Sequence, residues 1–461
     1  MKRISLIILP LILVMVTFLS GCSFEESTRE SELQDELSSI SDELNSTFSS
    51  STGQYSLVAE YLESWANKND IKIAESKESY MVLVNPASEG CGDSQTTVLQ
   101  CAVETAAFNE SMQSLSIALA SLLGPEAHGD ITLIVTENND GQYTGAADID
   151  AEYLKADNFI NINQSDDVLL YTGGAYEMTS TMSTKLTTAS PSYTKAYTVT
   201  LSISGYHDFF AAENQYPDPI ETLGSLLATA KSSGILFQLS SFECDYTDGY
   251  TPTKATFTVV IDENNVNSFT SKFNSSYNKI KKKFEKLEDN FVYTMTETTM
   301  PSTVIDSEYS DRIISLMYTL NTGTYLQDED SGEIISASHI ASVSTKSNSF
   351  SMKLLSRSLQ EDVLDEMSST YEVTSGLCSI SYKASDVSST WTSDEEGSSA
   401  AFFTDALGTE DSIVASTLES SECNIFASRG VSDIVSYRCT ASHSSAALTN
   451  ITNFLSSLVE E

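Results

Sequence analysis

Residues 96–108 read TTVLQCAVETAAF. A run of β-branched and apolar residues ends abruptly at Cys101-Ala102-Val103-Glu104, and small residues follow. This is the profile of a buried strand that stops at a turn. Downstream, helical spacing of apolar residues over Met112–Leu123 is followed by strand patterns at Ile131–Val135 and Phe159–Ile162. Alternation of this kind predicts a sheet covered by helices. In such sheets ligands bind just beyond the carboxyl ends of the strands. Any chemistry the chain retains is therefore expected around Ala102 and Glu104.

Upstream, YSLVAEYLESWANK (residues 55–68) predicts an amphipathic helix with Val58, Leu62 and Trp65 on one face. Short strands are expected at Ile71–Ala74 and Tyr80–Val84. Residues 23–53 are rich in Ser and Glu, and SELQDELSSISDEL has near-helical apolar spacing, so a tether that becomes a helix is expected there. From Tyr197 the texture changes. A strand YTVTLSIS, a helix around Ile220–Lys231, two strands and a long helix from Val266 to Leu287 are followed by a similar series, from a strand at Phe291–Thr294 to one near Cys378–Tyr382. Two successive β-α-β-β-α-β-like units predict a doubled α+β insert. After Trp391 the α/β alternation returns and ends in the helix ALTNITNFLSSLV.

The first residues bear on location. Lys2 and Arg3 precede an apolar stretch, Ile4–Phe18, of signal-peptide length, and Leu19-Ser20-Gly21-Cys22 follows. Small residues before a cysteine at that point resemble a bacterial lipobox, in which Cys22 would carry a diacylglycerol and become the mature N-terminus. Two or more acyl chains anchor stably. A lipoprotein facing outward from a bacterial membrane is expected.

The chain has 461 residues and a net charge of −41, from 24 Lys+Arg against 65 Asp+Glu. That length allows two or three domains with real cores. The charge argues against nucleic acid as a partner and against electrostatic docking on anionic lipid, which leaves membrane attachment to the acyl anchor. Lys279, Lys281, Lys282, Lys283 and Lys286 form the one basic cluster, expected to be a solvated helix face. Besides Cys22 there are six cysteines, Cys91, Cys101, Cys244, Cys378, Cys423 and Cys439. An even number in an exported chain suggests disulfides. No CxxC, HExxH or GxSxG occurs, and the SxxK spacing of Ser192 and Lys195 is expected by chance in so serine-rich a chain.

With this layout the chain resembles the co-catalytic zinc dipeptidases, in particular the aminoacyl-histidine dipeptidase (PepD-like) branch. The likeness runs from about Tyr55 to the C-terminus as ordered local matches. YTGAADIDAEYLKADNFININ resembles the family's T-G-A-x-x-L-D-x-x-x-L-x-x-D-x-x-I-N-L-D. LSISGYHDFFAAENQYPDPIETLGSLL follows the stretch around its lid G-G-H-S-G. SECNIF and ASHSSAAL occupy the places of L-E-C-G-L-F and G-A-H-S-P-D-E. The resemblance implies an α/β catalytic-type domain in two chain segments with a doubled, ferredoxin-like α+β lid inserted between them. The expected divisions are a signal peptide (1–21), a tether and helix (22–54), the first α/β segment (55–192), the lid (193–385) and the second α/β segment (386–461).

The family's reaction needs two zinc ions, a bridging carboxylate and a glutamate as general base. Its V-L-Q-G-H-x-D-M-V is V-L-Q-C-A-V-E-T-A here, so the metal histidine falls on Ala102 and the aspartate on Glu104. The bridging Asp falls near Glu110. The base and ligand pair falls on Asn139 and Asp140, and an asparagine cannot take a proton from metal-bound water. The next carboxylate ligand falls on Asn163. The substrate-gripping Arg-Asn falls near Asp248-Gly249, reversing the charge that would hold a peptide carboxylate. Only His443, at the last metal ligand, and His207, at the lid histidine, keep their residue type. The chain holds four histidines in all.

The resemblance therefore implies a dismantled site with no cofactor, and a non-catalytic protein that binds a peptide or protein partner, with His207 as a candidate substrate contact. The alternatives are a metallodipeptidase with a zinc site rebuilt from His443, Asp140 and Glu104, or a structural envelope protein. In the same frame, disulfides Cys244–Cys378 and either Cys91–Cys101 with Cys423–Cys439, or Cys101 bridged to one of the latter, are expected.

Overall fold

The computed structural model describes residues 29–49, 54–105, 107–138, 143–165, 167–203, 217–245, 251–284, 291–329, 332–388, 390–393, 398–408, 413–414, 416–419 and 421–459. The chain opens with helix α1 over residues 29–48 and α2 (Tyr55–Lys68). Strands β1 (Lys72–Ser76), β2 (Tyr80–Asn85) and β3 (Thr97–Glu104) lead to α3 (Phe108–Leu122). Then come β4 (Ile131–Asn138), α4 (Thr144–Asp148), β5 (Asn158–Gln164) and β6 (Leu169–Tyr171).

The insert begins at β7 (Tyr176–Lys185) and β8 (Thr188–Ala189). It continues through β9 (Lys195–Ser202), α5 (Pro219–Ser232), β10 (Phe237–Cys244), β11 (Lys254–Ile261), α6 (Val266–Phe284), β12 (Val292–Glu297) and β13 (Val304–Ile305). Its last part is α7 (Ser307–Thr319), β14 (Gly323–Gln327), β15 (Ile334–Ser344), β16 (Ser349–Ser358), α8 (Glu361–Leu377) and β17 (Ser381–Ala384). The chain closes with α9 (Ser398–Leu407), β18 (Ile413–Val414), α10 (Glu422–Ser428), β19 (Ile434–Cys439) and α11 (Ser444–Ser457).

The base is an eight-stranded sheet in the order β1-β2-β4-β3-β5-β19-β6-β18. Its centre, β4-β3-β5-β19, is parallel throughout. Parallel strands are covered on both faces, and β3 accordingly is buried along almost its whole length. One face carries the core that joins Leu99, Cys101 and Val103 to α2, α3, α9 and α11. The other packs Val98, Ile134, Phe159 and Ile434 under α10 and Trp391.

Helix α1 lies in the first of these cores. Leu33, Leu37, Ile40, Leu44 and Phe48 are all buried there, a stripe at helical spacing. Arg29 donates to the Leu123 and Gly124 carbonyls at the end of α3, at 2.9–3.1 Å, while Phe48 meets Phe108 at the start of α3. The part of the expected tether that follows residue 28 is therefore a docked helix, antiparallel to α3.

The insert holds two larger sheets besides the two-stranded pair of β8 and β13. The order β12-β9-β11-β10, with α5 and α6, is a closed β-α-β-β-α-β unit. The second sheet runs β17-β7-β16-β15-β14, with α7 and α8. Its first strand is β7, paired with β16 from Tyr176–Ser358 to Lys185–Ser349. The doubled α+β lid is thus present, but its units are nested: the first unit sits between the first strand and first helix of the second. This corrects two expectations. Phe291–Thr294 closes the first unit instead of opening the second, and residues 176–185, expected in the base, pair with the insert. A strand's own alternation does not specify which sheet it joins. At the exit to the insert Gly174 lies so near Trp391 that an added Cβ would collide with the indole ring.

All six described cysteines are free thiols, and none of the expected disulfides is found among them. Geometry explains it. Cys101 and Cys439 sit on β3 and β19, with β5 between them, so their Cα atoms are separated by about 10 Å or more, beyond disulfide reach. Cys91 precedes β3, while Cys101 is its fifth residue, about 13 Å along the strand from its start. Cys423 packs in the core on the opposite sheet face from Cys439. Cys244 accepts the Val343 amide at 3.2 Å, whereas the Cys378 thiol interacts with Thr319.

Candidate functional site

The sheet face under α10 changes character along the strands. Residues at alternate positions share a face, so Val98, Gln100, Ala102 and Glu104 point the same way, as do Ile134, Thr136 and Asn138. The first row, Val98, Phe159 and Ile434, is apolar core. The next is a buried hydrogen-bonded ladder. Ser436 Oγ donates to Asn161 Oδ1 at 2.6 Å, Asn161 Nδ2 to Gln100 Oε1 at 2.6 Å, and Gln100 Nε2 to Thr136 Oγ1 at 3.0 Å. Each member is satisfied by the next, which removes the desolvation cost of burying it. Above the ladder come Ala102, Asn163 and Arg438, the last two paired in register, and finally Glu104 opposite Asn138.

Glu104 accepts the Asn138 side-chain amide at 3.2 Å. Glu422, the first residue of α10, is 1% exposed. Burial and then the Glu104 charge push its carboxyl up to about 8, against a smaller opposing effect of Arg438. Arg438 is itself buried at 7% exposure. Its guanidinium pairs with Glu419 and stacks on Tyr171, 4.2 Å from the ring centroid. The neighbouring Leu418 carbonyl accepts from Arg357 of β16 at 2.9 Å, and Arg357 also pairs with Glu177 at 2.8 Å. The insert thus touches the base one residue from the Arg438 partner.

Of the expected metal-site residues, Glu104, Glu110 and His443 lie among the described residues. His443 is exposed beside the start of α11, and its Nδ1 lies 2.6 Å from Thr440 Oγ1 and 3.2 Å from Ser442 Oγ. Glu110 lies in the first turn of α3. Cys22, Asn139, Asp140, His207, Asp248, Gly249 and Lys286 lie outside the described residues. Among the described residues no group of three or more His, Cys, Asp and Glu could hold a metal ion. Zinc is held by histidine, cysteine and carboxylate side chains. The described strand ends carry Ala102, Asn138, Asn163 and Arg438 beside the carboxylates Glu104, Glu419 and Glu422; Glu419 is engaged by Arg438, and no histidine stands among them, so these residues do not fit a dizinc centre. Sequence reading missed Glu422, Glu419 and Arg438. The arginine in the otherwise buried strand IVSYRC was the available signal, since charge in such a strand requires a partner.

A two-segment α/β base with a parallel centre, interrupted by a lid of two α+β sheets, is a metallodipeptidase-like fold, as the ordered motifs led one to expect. It is shared with the aminoacylhistidine dipeptidase of Vibrio alginolyticus, which is 18% identical over 92% of this chain and 97% of that one, at a TM-score of 0.61. The aminopeptidase PepT from Bacillus cereus ATCC 10987 is 10% identical over 92% and 99% of the two chains, at a TM-score of 0.50. No family profile matches the sequence, and no curated protein matches it. At these identities the likeness is one of fold alone.

Proposed function

We propose that the protein is a non-catalytic lipoprotein, anchored through Cys22 to the outside of a bacterial membrane, which uses a metallodipeptidase-like fold to bind a peptide or protein partner. The observation that supports this reading is the row of side chains at the strand ends. A co-catalytic centre polarises water with two adjacent dications. Here a buried guanidinium stands at the end of β19, already neutralised by Glu419. Glu419 is thereby committed to a fixed cation instead of being available to ligate a dication. Asn139, at the position of the general base, has no proton-accepting carboxylate.

Metal stoichiometry of the zinc-loaded, buffer-exchanged ectodomain tests the reading. The expected result is near-zero zinc, together with a rise in melting temperature on adding a peptide pool. About two zincs per chain, the number such a centre requires, would overturn it in favour of a rebuilt dipeptidase. Near-zero zinc with no peptide response would favour the structural envelope role.

A further inference from the structure

We propose that the protein stands on the membrane with the amino-terminal edge of its parallel strands toward the bilayer and the carboxyl-terminal edge, where Ala102, Glu104 and Arg438 lie, facing away. The inference rests on the Cys22 anchor of the reading above. It is carried by where the docked chain begins.

Arg29 is fastened to the Leu123 and Gly124 carbonyls. Helix α3 follows the carboxyl end of β3 and runs back along the sheet, so its last residues lie at the opposite edge. Asn85, the last residue of β2, donates to the Leu122 carbonyl at 2.9 Å and to the Leu123 carbonyl, which Arg29 also uses, at 3.3 Å, and pairs with Ile131, the first residue of β4. The start of α1 is therefore at the amino-terminal edge of the central strands. From Cys22 to Arg29 is seven residues, which span at most about 25 Å even when fully extended. The strands add distance on the other side: eight residues of β3 rise about 26 Å between the two edges. A leash this short cannot carry the anchor point around the base to the far edge.

The near edge is not an electrostatic docking surface. Glu89, Asp93, Glu126, Asp130 and Asp157 are exposed there against Lys72 and Lys155, and anionic lipid would repel this acidic excess. The orientation comes from the length of the leash, with the acidic loops keeping the base a short distance off the headgroups.

The test uses the full-length lipidated protein in phosphatidylglycerol-containing vesicles, with energy transfer measured from a dye on the protein to a headgroup-labelled lipid. The dye is placed at Glu126→Cys on the near edge or Ser442→Cys on the far edge, both exposed, in a Cys244→Ser background. The expected result is several-fold stronger transfer from position 126 than from 442. Inserting twenty Gly/Ser residues after Thr28 should abolish the difference. Mass analysis of the N-terminal peptide runs in parallel. Lipid present on Cys22 with transfer from 442 equal to or above that from 126 overturns the orientation alone. Absence of lipid on Cys22 overturns the anchor and the orientation together.

Discussion

Arg438 and Tyr171 are stacked face to cation, the guanidinium carbon 4.2 Å from the ring centroid, with Glu419 closing the pair from the side. The arginine belongs to β19 and the tyrosine to β6, two neighbouring antiparallel strands, while Glu419 comes from the loop before α10. One buried cation therefore joins three stretches of chain around the strand ends.

Removing that cation leaves Glu419 facing an apolar ring. Arg438→Met is expected to destabilise the protein by about 3 kcal/mol, as breaking one side of a buried pair does. Arg438→Met with Glu419→Gln should recover most of it. Urea unfolding of the three proteins checks this, and equal losses in the single and double variants would contradict it.

Stability should also depend on pH through Glu422. Its carboxyl goes from an ordinary value of 4.5 to about 8 in the fold, so the native state holds the proton more tightly than the unfolded chain. The stabilisation is complete below about pH 4.5 and declines as pH rises toward 8. Glu422→Gln should flatten this part of the profile and raise the melting temperature at pH 8. An unchanged slope in the variant would show that another group titrates there.

Helix α1 is expected to be integral to the base. It buries five large apolar side chains, each worth about 1.5–3 kcal/mol before ordering costs. A chain starting at Gln54 should therefore unfold at markedly lower urea concentration and bind a hydrophobic dye. A truncated protein as stable as the full one would show α1 to be dispensable.

The thiols offer a separate check. Protein denatured without reductant should yield six reactive thiols from residues 29–461, and the native protein far fewer. Cys101, Cys423 and Cys439 are fully buried, and burial raises the last two thiols to about 12. A count of four or fewer in the denatured protein would reveal a bridge.

How far the sequence carried these features depended on whether they were local. The strand through Cys101, the helices α2 and α6 and the final helix each show their own period, and each formed where expected. The ordered matches from Tyr55 onward led to the two-segment base and the inserted lid. The partner of β7 was not legible, because pairing across 182 residues, Tyr176 with Ser358, leaves no trace in either strand alone. An even count of cysteines carried no distance: Cys101 and Cys439 sit on strands with β5 between them, and Cys423 lies on the other sheet face from Cys439. Glu422 and Arg438 are single charges within apolar surroundings, and their partnership exists only once α10 lies over the sheet.

The nesting of the two insert units has a consequence for how the chain is made. Strand β7 emerges early, yet both its sheet neighbours, β16 and β17, are synthesised after the whole inner unit. The inner unit can close on itself as soon as β12 is available, since all four of its strands lie between Lys195 and Glu297. The same delay recurs in the base, where β5 waits for β19. Long-range pairings of this kind make folding slow and leave strand edges exposed meanwhile. Until its last strands arrive the chain would pass through a stage with one finished inner unit and two open sheets, a natural client for a chaperone.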